Sequence, residues 1–225
     1  MSTDKKVLLL VGSPKGEKSS SASLGNYLIS KLEELGMESE TGFVHRLVNR
    51  EETIKKLFDM IAQADLIVLS FPLYVDSLPA PVVKAMELIK EERDRLESKK
   101  SKNFIAISQN GFPEFYQNLT ALRICKIFAE DCEFVWKGGL ALGQGGSIGG
   151  MPLLERGGMV RNVVKGLDIT AQALAEGKEI PQEAVDLFSK RFIPNFFYNS
   201  IVNLGWRLQK RKHTKKKIKE KPYLL

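Results

Sequence analysis

Cysteine and histidine are both scarce in this chain, with two of each in 225 residues. Cys125 and Cys132 are seven apart in no C-x-x-C arrangement, which excludes a disulfide framework, a four-cysteine zinc site and a cysteine-held iron–sulfur cluster. That usage suits a reducing cytoplasm. His45, near a polar segment, and His213, in a basic tail, build no histidine-centred nucleophilic or metal site, and both read as surface residues. No apolar run approaches the roughly 18–20 residues a membrane span needs. The start, Met1 to Lys6, leads into a short Val7–Val11 run with no cleavage-type sequence after it, so neither a signal peptide nor a transmembrane helix is expected. Hydrophobic residues make up 43% of the chain, enough for a core without metal or disulfide support.

Acidic residues are almost missing from one stretch. Residues 191–225 hold ten Lys/Arg against Glu220 alone, whereas residues 1–190 hold 24 basic against 26 acidic side chains. The net charge of +7 is therefore a property of the tail, and the body is nearly neutral, not the spread of positive charge that would suggest nucleic acid.

Val7–Val11, Ala64–Ser70 and Asn103–Ser108 are short, nearly continuous apolar runs, the pattern of strands buried on both faces of a parallel sheet. Glu38–His45 reads as a more polar edge strand and Glu133–Leu142 as a fifth, after a helix from about Tyr116 to Asp131. Leu24, Leu28, Leu32 and Leu35 recur at helical spacing, as do Ile54, Leu57, Phe58 and Ile61. So do Val82, Met86 and Ile89 after Pro81, and a last helix carries Val160, Val163, Val164, Leu167, Ala171 and Leu174. Strand and helix alternate five times across residues 6–176, which predicts a doubly wound α/β domain with helices on both faces of the sheet. Ligands of such sheets lie beyond the carboxyl ends of the central strands.

The loop after the first strand, Gly12 to Ser23, contains hydroxyls, two lysines and two glycines before an amphipathic helix. Helix-start amides, serine hydroxyls and ammonium groups together can hold a phosphate; the plainer reading is a polar loop in which Ser20 or Ser21 caps the helix. Gly12 to Ser19 nearly spells a nucleoside-triphosphatase P-loop, but Glu17 stands where the second glycine belongs, and the third strand ends without the acid that would hold magnesium. After the third strand comes Phe71-Pro72-Leu73-Tyr74-Val75-Asp76-Ser77-Leu78-Pro79-Ala80-Pro81, stiffened by three prolines and suited to the edge of a flat ring. After the fourth comes Gln109-Asn110-Gly111-Phe112-Pro113-Glu114, again amides and aromatics. The three loops are expected to converge on one crevice.

Val-Gly-Ser-Pro-Lys with its serine cluster, Phe-Pro-Leu-Tyr-Val-Asp-Ser-Leu-Pro-Ala-Pro and Ser-Gln-Asn-Gly resemble the flavodoxin-like NAD(P)H-dependent FMN reductases, including their quinone-reductase and multimeric flavodoxin relatives. The resemblance covers roughly residues 6–176. It implies a five-stranded parallel sheet of order 2-1-3-4-5, with FMN as cofactor and NAD(P)H as electron donor. By the same resemblance, Ser13, Lys15, Ser19, Ser20, Ser21 and Ser23 fall to the FMN phosphate. Pro72, Leu73, Tyr74, Val75 and Asp76 flank the isoalloxazine, and Gln109, Asn110, Gly111 and Phe112 lie along its other side. The first loop is longer than the family's common form, so which of Ser19, Ser20 and Ser21 meets phosphate stays open. The cysteine cluster of related iron–sulfur flavoproteins is missing, which leaves FMN alone.

Because hydride transfer belongs to the flavin, no catalytic side chain and no metal are expected. The implied function is reduction of a small acceptor such as a quinone or another flavin. A non-enzymatic FMN electron carrier is the alternative, and a membrane-surface adaptor a third reading. The resemblance also implies a homodimer or higher homo-oligomer; a cytoplasmic location is expected from the cysteine usage, and a charged run alone specifies no nucleic-acid groove or base. Half of the 18 glycines fall in residues 138–158, read either as a flap over the ring or as a connection turning several times into the last helix.

Domains are expected at residues 1–178, the FMN-binding body, and 179–225, a helical extension with a polybasic tail. In the extension a short helical stretch near Glu183–Phe192 precedes a stripe of Ile193, Phe197, Ile201, Leu204 and Leu208. Lys210-Arg211-Lys212 and Lys215-Lys216-Lys217 follow it. Stripe plus basic run has the composition of a peripheral membrane anchor, yet the same stripe could cover the body or a partner subunit while the lysines stay solvated, the reading favoured from sequence.

Overall fold

The structure is a computed structural model that describes residues 5–95 and 101–213. Five strands, β1 (Lys6–Val11), β2 (Glu38–Phe43), β3 (Leu66–Pro72), β4 (Asn103–Gln109) and β5 (Val135–Leu142), form one parallel sheet of order β2-β1-β3-β4-β5. This is the order the resemblance implies. The helices are α1 (Ser20–Glu34), α2 (Val44–Leu47), α3 (Glu51–Gln63), α4 (Ala80–Arg95), α5 (Leu119–Asp131), α6 (Arg161–Ala175), α7 (Gln182–Phe188) and α8 (Asn195–His213).

Strands β1, β3 and β4 are buried almost throughout, because residues of both parities meet helices. Leu8, Leu10, Ile67, Leu69, Phe104 and Ala106 join one core cluster with apolar residues of α3, α4 and α5. On the opposite face Leu9 lies against Gly25 of α1, and α6 packs on α1. The edge strand β2 is mostly exposed or half-buried, as its polarity predicts.

Differences from the sequence reading are local. Residue Val44 opens α2, so β2 ends at Phe43 and His45 is helical. Helix α5 is preceded by a 3-10 turn over Phe115–Asn118, and Glu133, at φ 56°, turns the chain before β5 begins. Pro72 still pairs with Gln109, so β3 reaches further than the apolar run suggests.

By its contacts the chain divides into two compact units, Met1–Lys190 and Arg191–Leu225, and α7 packs on α6 within the first. The second contains α8. Residues Met1 to Asp4 and the basic run from Lys215 onward lie outside the described residues. No described helix is long and apolar enough to cross a membrane.

Candidate functional site

The carboxyl ends of β1, β3 and β4 are stitched together by backbone hydrogen bonds. Gly12 N–H donates to the Ser70 carbonyl at 2.8 Å and Leu73 N–H to the Gln109 carbonyl at 2.8 Å. Asn110 N–H donates to the Leu142 carbonyl at 3.0 Å, and Gly145 N–H to the Asn110 carbonyl at 2.7 Å. At the root of the first loop, a β-carbon on Gly12 would stand 2.5 Å from Val82 Cγ2 and 2.8 Å from Phe71 Cβ, so only glycine lets the loop leave the strand this close to its neighbours.

Beyond Gly12 the loop closes on itself. Ser13 is buried and its Oγ accepts from Lys15 N–H at 3.3 Å, while Lys15 itself is exposed. Ser19 caps α1: its hydroxyl accepts from Ala22 N–H at 3.1 Å and donates to the Gly16 carbonyl at 2.6 Å. The next two amides, of Ser20 and Ser21, have no acceptor within the helix, as at any helix start. The acid of this loop is held by a cation, with Glu17 3.3 Å from Arg46.

The serines then part company. Ser21 faces the sheet, where its Oγ accepts from Gln109 Nε2 at 3.5 Å and its carbonyl accepts from Ser70 Oγ at 2.8 Å. The Ser21–Gln109 contact ties the first loop to the third. Ser20 and Ser23 face the glycine-rich strap between β5 and α6: Ser20 Oγ accepts from Gly149 N–H at 3.2 Å, and Ser23 Oγ donates to the Met151 carbonyl. The strap is a turning connection, with Gln144, Gly149, Gly150 and Gly157 at positive φ, and Arg156 hydrogen-bonds the Ile148 carbonyl.

The second loop makes a tight reversal. Tyr74 and Ser77 exchange backbone hydrogen bonds at 2.9 and 3.1 Å across Val75 (φ 50°) and Asp76 (φ 57°). A β-branched residue in this region is strained, and Val75 is 99% exposed, so neither packing nor glycine explains the turn. Beside it, Asn110 is buried, accepting from Phe112 N–H at 3.0 Å and donating to the Glu114 carbonyl at 3.0 Å. The bend leaves Phe112 60% exposed, and a β-carbon on Gly111 would meet nothing within 4 Å. Thus the geometry brings the residues expected from the three loops to one sheet edge, with Ser20 and Ser23 on its outer side.

Residues 5–111 match the NADPH-dependent FMN reductase family. Among solved structures, the fold is similar to a flavone reductase (TM-score 0.57, 13% identity, 93% of each chain covered). It is also similar to a protein described as a quinone reductase from Klebsiella pneumoniae (TM-score 0.54, 15% identity, 79% of this chain and 87% of that one). A third likeness is to an FMN-dependent NADH-azoreductase from Bacillus anthracis, solved with FMN (TM-score 0.51, 12% identity, 76% of this chain and all of that one). At such identities these likenesses speak for the fold. No curated protein matches the chain. The family match bears out the resemblance read from the sequence and carries the general chemistry with it: NAD(P)H-dependent reduction with FMN as cofactor.

The first loop fits the phosphate end of FMN by its donor set: two helix-start amides, buried hydroxyls and a lysine, with the local carboxylate already paired. Sequence reasoning missed two neighbours of that loop. Residues His45 and Arg46 of α2 approach it, with His45 Cε1 about 3.5 Å from where a β-carbon on Gly16 would be, and His45 Nδ1 is buried without a hydrogen-bond partner among the described residues. Only the adjacency of β2 and β1 brings them there. A cavity of about 390 Å³ opens on the outer side of the strap, lined by Ser23, Asn26, Tyr27, Ser30, Met151 and Leu154 among others, and includes none of the second- and third-loop residues. Near it Tyr27 donates to Asp168 at 2.8 Å, and burial, with this carboxylate second, raises the phenol well above its usual pKa.

Proposed function

We propose that this chain reduces a small electron acceptor such as a quinone or a free flavin, with FMN seated between the first, second and third loops. The observation that carries the reading is the convergence of a phosphate-type donor set and a strained, solvent-facing Val75–Asp76 turn on one stitched sheet edge. In this reading the Ser20 and Ser21 amides, the Ser13 and Ser21 hydroxyls and Lys15 hold the phosphate. The Ser20 and Ser23 hydroxyls hold the strap instead. Residues Pro72 to Asp76 border one side of the ring and Gln109 to Phe112 the other.

FMN, when bound, supplies the hydride chemistry. The chain's own part is to bind and orient. Loop rigidity, from Pro72, Pro79, Pro81 and the Asn110 hydrogen bonds, lowers the ordering cost of the bound state. The exposed second loop leaves the ring's edge open to an acceptor, which fits small, flat substrates better than one specific partner.

The test is the visible spectrum of the purified chain, identification of any released chromophore, and anaerobic mixing with NADH or NADPH. Prompt bleaching of bound FMN is expected. Bound FMN that neither nucleotide bleaches would make the chain an electron carrier, and failure to bind FMN after reconstitution would refute both.

A further inference from the structure

The first loop holds one acid between two cations, and the acid takes its partner from elsewhere in the chain. From Gly12 to Ser23 the charged residues are Lys15, Glu17 and Lys18. Either lysine is near enough in sequence to pair with Glu17, yet among the described residues neither is ion-paired. Glu17 Oε1 instead accepts from Arg46 Nη1 at 3.3 Å, across 29 positions of chain. The sheet register makes this possible. Val11 lies opposite Phe43, so the loop that leaves β1 and the helix α2 that follows β2 emerge side by side.

Arg46 is held for this contact. Its guanidinium lies over the Phe43 ring, 4.8 Å from the centroid, and its Nη2 would stand 3.6 Å from a β-carbon on Gly16. Gly16 is buried at φ +58°, which carries the Gly16–Lys18 turn up to the guanidinium. The two charged side chains are 59% and 69% exposed, so the pair adds little to stability. Its consequence is electrostatic. Glu17 precedes the Ser20 and Ser21 amides by three and four residues, which puts its carboxylate on the order of 8 Å from an anion seated there. Left alone, that carboxylate would repel a phosphate and draw Lys15 or Lys18 to itself.

We propose that Arg46 is a specificity-determining residue for the phosphorylated flavin: by occupying Glu17 it keeps Lys15 and Lys18 for the phosphate, and so raises the preference for FMN over riboflavin. This rests on the reading in which the first loop holds the phosphate. Arg46 acts through Glu17, in a positioning role, and needs no contact with the cofactor. A carboxylate about 8 Å from a phosphate dianion weakens its binding roughly fivefold even at the dielectric constant of water. That factor is what Arg46 removes.

The experiment titrates the full chain, freed of flavin, with FMN and with riboflavin, followed by flavin fluorescence in about 0.01 M salt, where the Debye length is about 30 Å. Arg46→Gln should weaken FMN about fivefold and leave riboflavin affinity and the melting temperature unchanged. The difference should vanish near 1 M salt, where the Debye length is about 3 Å. Glu17→Gln should bind FMN at least as tightly as the unaltered chain, and adding Arg46→Gln to it should cost nothing further. Normal FMN binding by Arg46→Gln would overturn the proposal, as would equal losses of FMN and riboflavin, the mark of a merely structural role. A loss that persists in the Glu17→Gln background would also overturn it, because Arg46 would then meet the phosphate itself. If the unaltered chain bound FMN no better than riboflavin, the phosphate reading of the first loop would fall and take the proposal with it; a clear FMN preference that Arg46→Gln leaves intact would overturn the proposal alone.

Discussion

Gly150 offers the sharpest test of the strap. Its φ is +75°, and a β-carbon there would stand 2.4 Å from both the carbonyl carbon and oxygen of Lys18 and 2.8 Å from Ser19 N. All three are backbone atoms of the loop that leads into α1, so no flexible side chain can yield. For Gly150→Ala, the left-handed backbone costs about 1–2 kcal/mol. Forcing the two segments apart costs a further 1–3 kcal/mol or so. If the strap lifts instead, the hydrogen bonds to Ser20 and from Ser23 are lost at about 1 kcal/mol each. A net loss of about 3 kcal/mol follows by either route, which in a domain of this size lowers the melting temperature by roughly 6–12 °C. FMN affinity should fall too, since the displaced atoms border the Ser20 and Ser21 amides. Two other glycines calibrate the result. Gly36, at φ +88° with nothing within 4 Å, should cost only about 1–2 kcal/mol as alanine. Gly146, with neither contact nor positive φ, should change stability by no more than about 0.5 kcal/mol. Thermal melts followed by circular dichroism, with and without FMN, rank the three; if Gly150→Ala melts with Gly36→Ala, the close approach of strap and loop is wrong.

Lys15→Ala should weaken FMN by about 1.5–3 kcal/mol, the scale of a charge-assisted hydrogen bond, and leave riboflavin binding nearly unchanged. Fluorescence titrations with both flavins decide this, and equal losses would place Lys15 away from the phosphate. Alkaline pH should destabilise the fold. Burial pushes the Cys125 thiol up to about 12 and that of Cys132 to about 11, so as pH rises past the ordinary value of about 8.5 the unfolded thiols ionise first. Their contribution is whole below that pH and fades toward 11–12, and the raised Tyr27 phenol adds to the same trend above about pH 10. The urea midpoint should fall from neutral to alkaline pH accordingly, and both thiols should resist alkylation in the native state; fast native labelling would contradict their burial.

The sheet was legible because its three central strands are apolar on both faces, a pattern that few other settings produce. The three loops followed from the strands that end in them, and they meet at the edge where that pattern puts them. The division of labour among the serines was not legible. Ser20 and Ser23 are three apart and so share a helix face, but what that face meets is a segment near residue 150 whose position no local pattern encodes. The sequence alone makes His45 a surface residue near an edge strand; the turn into α2 at Val44 half-buries it against the first loop. The Val75–Asp76 reversal is hidden for a different reason, since a β-branched residue disfavours positive φ and the loop takes that shape against the preference of Val75.

The hydrogen bonds between strap and helix join residues 128 and 129 positions apart. Closing so long a loop is entropically expensive and comes late, after the local β–α contacts of β1 and α1 exist. The platform at the start of α1 is thus finished only when the chain through Met151 has been made and has folded back. A fragment ending before the strap would retain the Ser19 cap but lack this brace. On the ribosome, the brace on the start of α1 arrives after the sheet's last strand, not with its first.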